Sequence, residues 1–276
     1  MKKTLIALAV ATSAVSGIAH AWTSGDFNGS VDIGGDIIAD NFGQKWEWAV
    51  GNSINGFNNK TTDLTEDGKK LTITVHGNKA ILLGRTTEAF KTPTAGGWGA
   101  IPQIAFTDYE GGTVTLKTPA GVQNKGLVYF VLPMKNSAGT KVGTVKVNAT
   151  FAGAAVEATG SNSGKLFSTY GGSAERIFNG GAPLYAELNS GIAAAEKTAL
   201  FGSLSKADLV AQFQAVIPGA TVTDGTNSEF ASMNVLTSAA YALGIVDGQS
   251  MEATFDNAVT ASTTWSAPLN MAISYN

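Results

Sequence analysis

The chain has 276 residues, a formal charge of -3 and no cysteine. Only 14% of the residues are charged and no basic cluster follows a phosphate backbone, which excludes nucleic acid as a partner. Disulfides are excluded as well, so stability must come from burial, which a chain of this length supplies.

The first 21 residues read as an export signal. Lys2 and Lys3 precede an apolar run that ends in Ala19-His20-Ala21, the small-x-small pattern cut by signal peptidase. The run is too short and too interrupted for a membrane span of ~20 residues, and no later stretch approaches that length. Trp22 is then the expected mature N-terminus.

Residues 27–38, "FNGSVDIGGDII", alternate with a period of two: Phe27, Val31, Ile33 and Ile37 share one face with Gly29 and Gly35. That is a strand, but no two-residue turn returns the chain along it; polar "ADNFGQ" follows instead. The pattern alone admits two partners, a strand of the same sandwich or a strand of another molecule. Residues 22–39 are read as an extension and 40–276 as the main domain.

From Lys45 onward, short alternating runs succeed one another. Trp46, Trp48 and Val50 share a face, as do Leu71, Ile73 and Val75, and later Val145, Val147, Ala149 and Phe151. "KAILLG", "IPQIAF", "GTVTLK" and "LVYFVLP" are further strands, separated by "EDGK", "YEGG" and "NSAG", which carry turn chemistry. Many short strands without helices between them predict an all-β sandwich.

Between about 153 and 234 the alternation fades, predicting a partly helical insertion. "AAAEKTALF" favours helix, and "SKADLVAQFQAVIPG" opens with Ser205 and Asp208 at capping-box spacing and closes at Pro218-Gly219. Strands resume with "AAYALGIVDGQSMEATF". The closing run predicts an amphipathic strand, with Trp265, Ala267, Leu269, Met271, Ile273 and Tyr275 on one face; Pro268, which cannot donate a ladder hydrogen bond, favours an edge.

Chemistry is sparse. With His20 removed, His76 is the only histidine left, at the turn end of "LTITVHGN", so neither a Cys/His zinc site nor a convincing catalytic triad is expected. Asp108 and Glu110 are a carboxylate pair of the kind glycosidases use, but they sit beside a turn. "DGTNSE" at Asp224 lacks calcium-loop spacing. No enzyme activity, cofactor or metal is expected.

The stretches "MKKTLIALAV", "WTSGDFNGSVDIGG", "QKWEWAVG", "KAILLGRTTEAF", "IAFTDYEGG", "YFVLPMKN" and "WSAPLNMAISYN" together resemble the FaeG and ClpG type of major fimbrial subunit, assembled by the chaperone-usher pathway. The chain departs from such subunits at Ser262, Thr263 and Thr264, where they often carry a glycine. The resemblance implies an incomplete immunoglobulin-like β-sandwich completed by a donor strand from the next subunit. On this sequence the donor residues are Phe27, Val31, Ile33 and Ile37, worth on the order of 6–12 kcal/mol if fully buried. Trp265, Leu269, Met271, Ile273 and Tyr275 are the implied groove wall and chaperone contact. Implied partners are other copies of the chain in a linear polymer, a periplasmic chaperone, an outer-membrane usher and host glycans. The implied destination, reached through the periplasm, is a fimbria on the bacterial surface.

In such subunits the receptor site lies in the inserted segment. Here "KLFSTYGGSAERIFNGGAPLY" offers Phe167, Tyr170, Phe178 and Tyr185 for stacking on a sugar, and Glu175 and Arg176 for bonding hydroxyls. The competing reading is a monomeric secreted carbohydrate-binding protein, whose sandwich would be complete without a second copy.

Overall fold

The computed structural model describes residues 34–35, 42–92, 100–121, 125–172, 176–184, 190–228 and 234–275. The chain divides into two compact units, Met1–Ile38 and Ala39–Asn276. Of the first only Gly34 and Gly35 are described, so Phe27, Val31, Ile33 and Ile37 lie outside the described residues.

The second unit is mostly strand: β1 (Trp46–Val50), β2 (Lys70–Thr74), β3 (Lys79–Thr86), β4 (Phe90–Lys91), β5 (Pro102–Asp108), β6 (Leu127–Asn136), β7 (Lys141–Gly160) and β8 (Ser163–Thr169). Two helices follow, α1 (Gly191–Leu200) and α2 (Lys206–Val216), then β9 (Thr221–Ser228), β10 (Leu236–Ile245), β11 (Ser250–Phe255), β12 (Trp265–Ser266) and β13 (Leu269–Tyr275). This is an all-β sandwich with a small helical insertion.

The 20-residue β7 organises the sheets. Its first half pairs β6 on one edge and β11 on the other, and β11 continues to β2. Its second half pairs β10 and β8, and β10 continues through β3 to β1. β8 also takes β9 in parallel, while β5 and β13 form a separate antiparallel pair. The principal core lies among these layers, with Phe106, Phe130, Phe151, Phe178 and Tyr241 almost fully buried.

The fading alternation after Gly153 marks burial on both faces rather than the end of the sheet. Every described residue from Thr150 to Val156 on β7 and from Leu236 to Ile245 on β10 is buried. One face meets the main core, and the other meets a second core in which Leu209 and Phe213 of α2 and Ala194 and Ala195 of α1 pack on Ala152, Ala154 and Ala240. With no polar face left, the period-two signal disappears. The insertion accordingly carries β8 and β9 as well as its helices.

α2 starts where the sequence places it, and α1 begins two residues ahead of the run read as helical. Ser205 accepts from the Asp208 backbone N–H while Asp208 reaches back to that of Ser205, a complete capping box. Ser190 caps α1, assisted by Asp224 of β9, which accepts from the Ile192 N–H at 2.9 Å and the Ser190 hydroxyl at 3.2 Å. Of the acidic stretch considered for calcium, residues 224–228 are strand, and Asp224 secures a helix start.

Two further expectations are corrected. "GTVTLK" makes only isolated bridges, at Thr113 and Lys117. The closing run is not one strand: it breaks at Ala267-Pro268, β12 pairing with β6 and β13 with β5. Proline has no N–H to continue the first ladder, and the chain changes partner there.

Candidate polymerisation edge and receptor face

Two neighbouring strands differ in how well the same face is covered. Along β5, Ile104 and Phe106 are 3% and 1% exposed. Their register partners on β13, Ile273 and Met271, are only half-buried, as are Leu269 and Tyr275, although all four pack on the main core. Cover ends at β13, which among the described residues pairs with β5 alone.

β1 shows the same gradient. Leu82 on β3 is 2% exposed, whereas its partner Val50 is 67% exposed, so the apolar face read from "KWEWAV" is buried at Trp46, half-buried at Trp48 and open at Val50. Among the described residues β1 pairs only with β3. The two incompletely covered edges meet where the Trp48 indole N–H donates to the Tyr275 hydroxyl at 2.9 Å. Burial raises the Tyr275 hydroxyl's pKa, and the donated hydrogen bond works against that rise.

This end is built from aromatic rings. Trp46 and Trp48 stack with centroids 6.2 Å apart, and Phe178 packs edge-on to both. Gly84, opposite Trp48, is required: a Cβ there would come within 2.4 Å of the indole. Tyr241 closes the cluster and donates its hydroxyl to the Gly181 carbonyl at 2.7 Å.

Of the proposed groove wall, Leu269, Met271, Ile273 and Tyr275 lie together on β13. Trp265 does not: it belongs to β12 and pairs with Asn136 of β6. Of the sugar-contact candidates, the structure brings Tyr170 and Arg176 together, the guanidinium carbon 4.7 Å from the ring centroid, with Arg176 donating to the Gly171 carbonyl at 2.9 Å. Phe167, half-buried on β8, lays its ring against Gly225 of β9. Phe178 is a correction. Fully buried with φ +61°, it fills the aromatic cluster and presents no ring to a ligand. Glu175 and Tyr185 lie outside the described residues. Sequence reasoning passed over Leu184, 64% exposed, whose backbone oxygen and side chain lie near Gly172.

The carboxylate pair is structural. Asp108 accepts from the Glu110 and Gly112 backbone N–H groups, and Glu110 pairs with Lys141. His76 is exposed in the turn after β2. Among the described residues no group of three or more His, Asp or Glu is placed to hold a metal.

A sandwich whose cover stops at a C-terminal edge strand defines a protein class in which burial is unfinished within the described fold. The sequence comparisons supply the family: the model of fimbrial major and minor subunits matches residues 1–276, and the chain belongs to that family. It is 58% identical over 282 residues to K88 fimbrial protein AC and 58% identical over 284 residues to K88 fimbrial protein AB, both of Escherichia coli, with all of each chain covered. It is 29% identical over 293 residues to the F41 fimbrial protein of Escherichia coli, again at full coverage. Members of the family are exported and assembled into fimbriae on the bacterial surface, and this chain shares that destination.

Proposed function

We propose that the chain is the major structural subunit of a surface fimbria and polymerises by donor-strand complementation. Residues 1–21 are removed on export, and 22–39 of one copy lie along β13 of the preceding one, with Phe27, Val31, Ile33 and Ile37 entering its core. A periplasmic chaperone strand covers the same edge beforehand, and an outer-membrane usher exchanges it for the incoming subunit. The observation that carries this reading is the drop in burial from Ile104 and Phe106 to Ile273 and Met271 across one register. An apolar edge strand left in that state is an aggregation hazard unless a further strand covers it.

Each copy also acts as an adhesin for host glycoconjugates, so a fibre binds multivalently. Tyr170 and Arg176 support this, since they join a half-buried ring to a guanidinium on the insertion. Sedimentation of the processed chain against a chain lacking 22–39 tests polymerisation. The reading expects fibres from the first and none from the second; fibres from both would overturn it. Replacing Tyr170 and Arg176 by alanine should leave the fibres and weaken their adherence to glycan-coated surfaces.

A further inference from the structure

β5 has a neighbour on each edge, and the two neighbours belong to different candidate sites. One edge pairs β13, with Pro102 opposite Tyr275, Gln103 opposite Ser274 and Ile104 opposite Ile273. The other edge carries the end of the candidate receptor segment. There the Phe178 N–H donates to the Pro102 carbonyl and the Ile104 N–H donates to the Asn179 carbonyl, each at 2.9 Å, as a parallel bridge. The same short stretch of β5 therefore holds both the open edge strand and the residues that lead to Arg176.

Side chains join the two sites a second time. Trp48, which donates to the Tyr275 hydroxyl, meets the Phe178 ring edge-on at 6.2 Å. The left-handed backbone of Phe178 is costly for an aromatic residue and persists only where the surroundings fix it. Here Trp46, Trp48, Tyr241 and the Pro102 carbonyl do so. Gly180 and Gly181 run so close to β5 that a Cβ on them would come within 2.1 Å and 2.6 Å of Ile104, respectively. Asn179 carries the connection outward: its Nδ2 donates to the Gln103 side-chain oxygen at 3.1 Å, and its Oδ1 accepts from the Gly172 N–H at 3.3 Å. The Gln103 Nε2 donates in turn to the Arg176 carbonyl at 3.2 Å. Gly171, next to Gly172, offers the carbonyl that accepts from the Arg176 guanidinium beside Tyr170.

We infer that residues 176–181 couple the two sites, with Asn179 as the positioning residue: a strand that fills the open edge of β13 firms β5 and, through it, the Tyr170–Arg176 pair. The coupling rests on the donor-strand reading proposed above and adds regulation to it. Local opening is easiest where burial is incomplete. β13 is half-buried with one described partner, so its opening frees one edge of β5 and breaks the Trp48–Tyr275 bond. An added strand binds only the closed arrangement and suppresses that opening. A ligand seated at Arg176 then meets a site already ordered, and by reciprocity it tightens the donor strand. Copies within a fibre would thus present a better-ordered receptor face than a subunit whose edge is open.

The test is amide hydrogen exchange in the full chain carrying Val31→Asp and Ile33→Asp, which disables its own donor segment, with and without a peptide of residues 22–39. Calorimetry on the same samples records whether the peptide binds. On saturation, exchange at Gly171, Phe178 and Gly181 should slow by about tenfold beyond any change in α2. With Asn179→Ala added, the peptide should still bind and still slow Phe178, but Gly171 should no longer respond, although its own hydrogen bond, to the Pro183 carbonyl, is untouched. Binding that slows β13 and β5 and leaves Gly171 unchanged would overturn the coupling while the donor-strand reading stands. So would an equal slowing in α2, the mark of global stabilisation, or a Gly171 response that survives Asn179→Ala. A peptide that does not bind would remove the donor-strand reading and the coupling together.

Discussion

β10 and β13 are both apolar-rich strands, and their surroundings make them opposites. β10 is buried at all ten positions, between the sandwich core and the two helices. β13 alternates half-buried with exposed along its whole length and has one described partner. The contrast separates an element finished by its own fold from one whose burial is incomplete. Substitutions should therefore act differently on the two strands, the first through folding and the second through association.

The largest effect is expected in the finished region. Tyr241→Ala removes a fully buried ring from the aromatic cluster and the hydrogen bond to Gly181, and should cost about 3–5 kcal/mol in denaturant unfolding. Met271→Ala on β13 should cost the isolated subunit only about 1–2 kcal/mol, because the side chain is half-buried. The same change should weaken binding of a peptide spanning 22–39 by about tenfold, measured by calorimetry. Equal stability losses at the two sites would erase the comparison.

Smaller effects sharpen it. Ser205→Ala breaks the capping box of α2 and should cost about 1 kcal/mol, read as a lower unfolding midpoint. The Ser205 hydroxyl and backbone N–H also hold the Asp208 carboxyl below its usual pKa. Their contribution is present above the usual aspartate value and is lost as pH falls through the lowered one, a loss that Ser205→Ala should reduce. Tyr275→Phe removes only the acceptor for the Trp48 indole and should cost about 0.5 kcal/mol, since water reaches this half-buried pair.

Legibility in the sequence followed the same division. β13 was readable because one covered face leaves strict alternation, and α2 because its capping box and Pro218-Gly219 bracket it. β7 beyond Gly153 and β10 were harder, since burial on both faces removes the polar half of the pattern. The switch from β6 to β5 at Pro268 was visible only as a proline, because its meaning depends on which strand lies beside each half. At the candidate receptor face the sequence offered aromatic residues without their orientation. Tyr170 joined Arg176, while Phe178 turned into the core under Trp46 and Trp48, a difference set by the left-handed backbone at Phe178 and its bond to the Pro102 carbonyl.

The central claim is that β13 is completed by residues 22–39 of another copy. Its most direct test is thermal unfolding of the chain lacking 22–39, with and without a synthetic peptide of that segment, beside a peptide carrying Val31→Asp and Ile33→Asp. The account predicts a large rise in melting temperature with the native peptide and little or none with the charged one. A truncated chain that is already stable and indifferent to both peptides would contradict it and leave a self-sufficient secreted sandwich in its place.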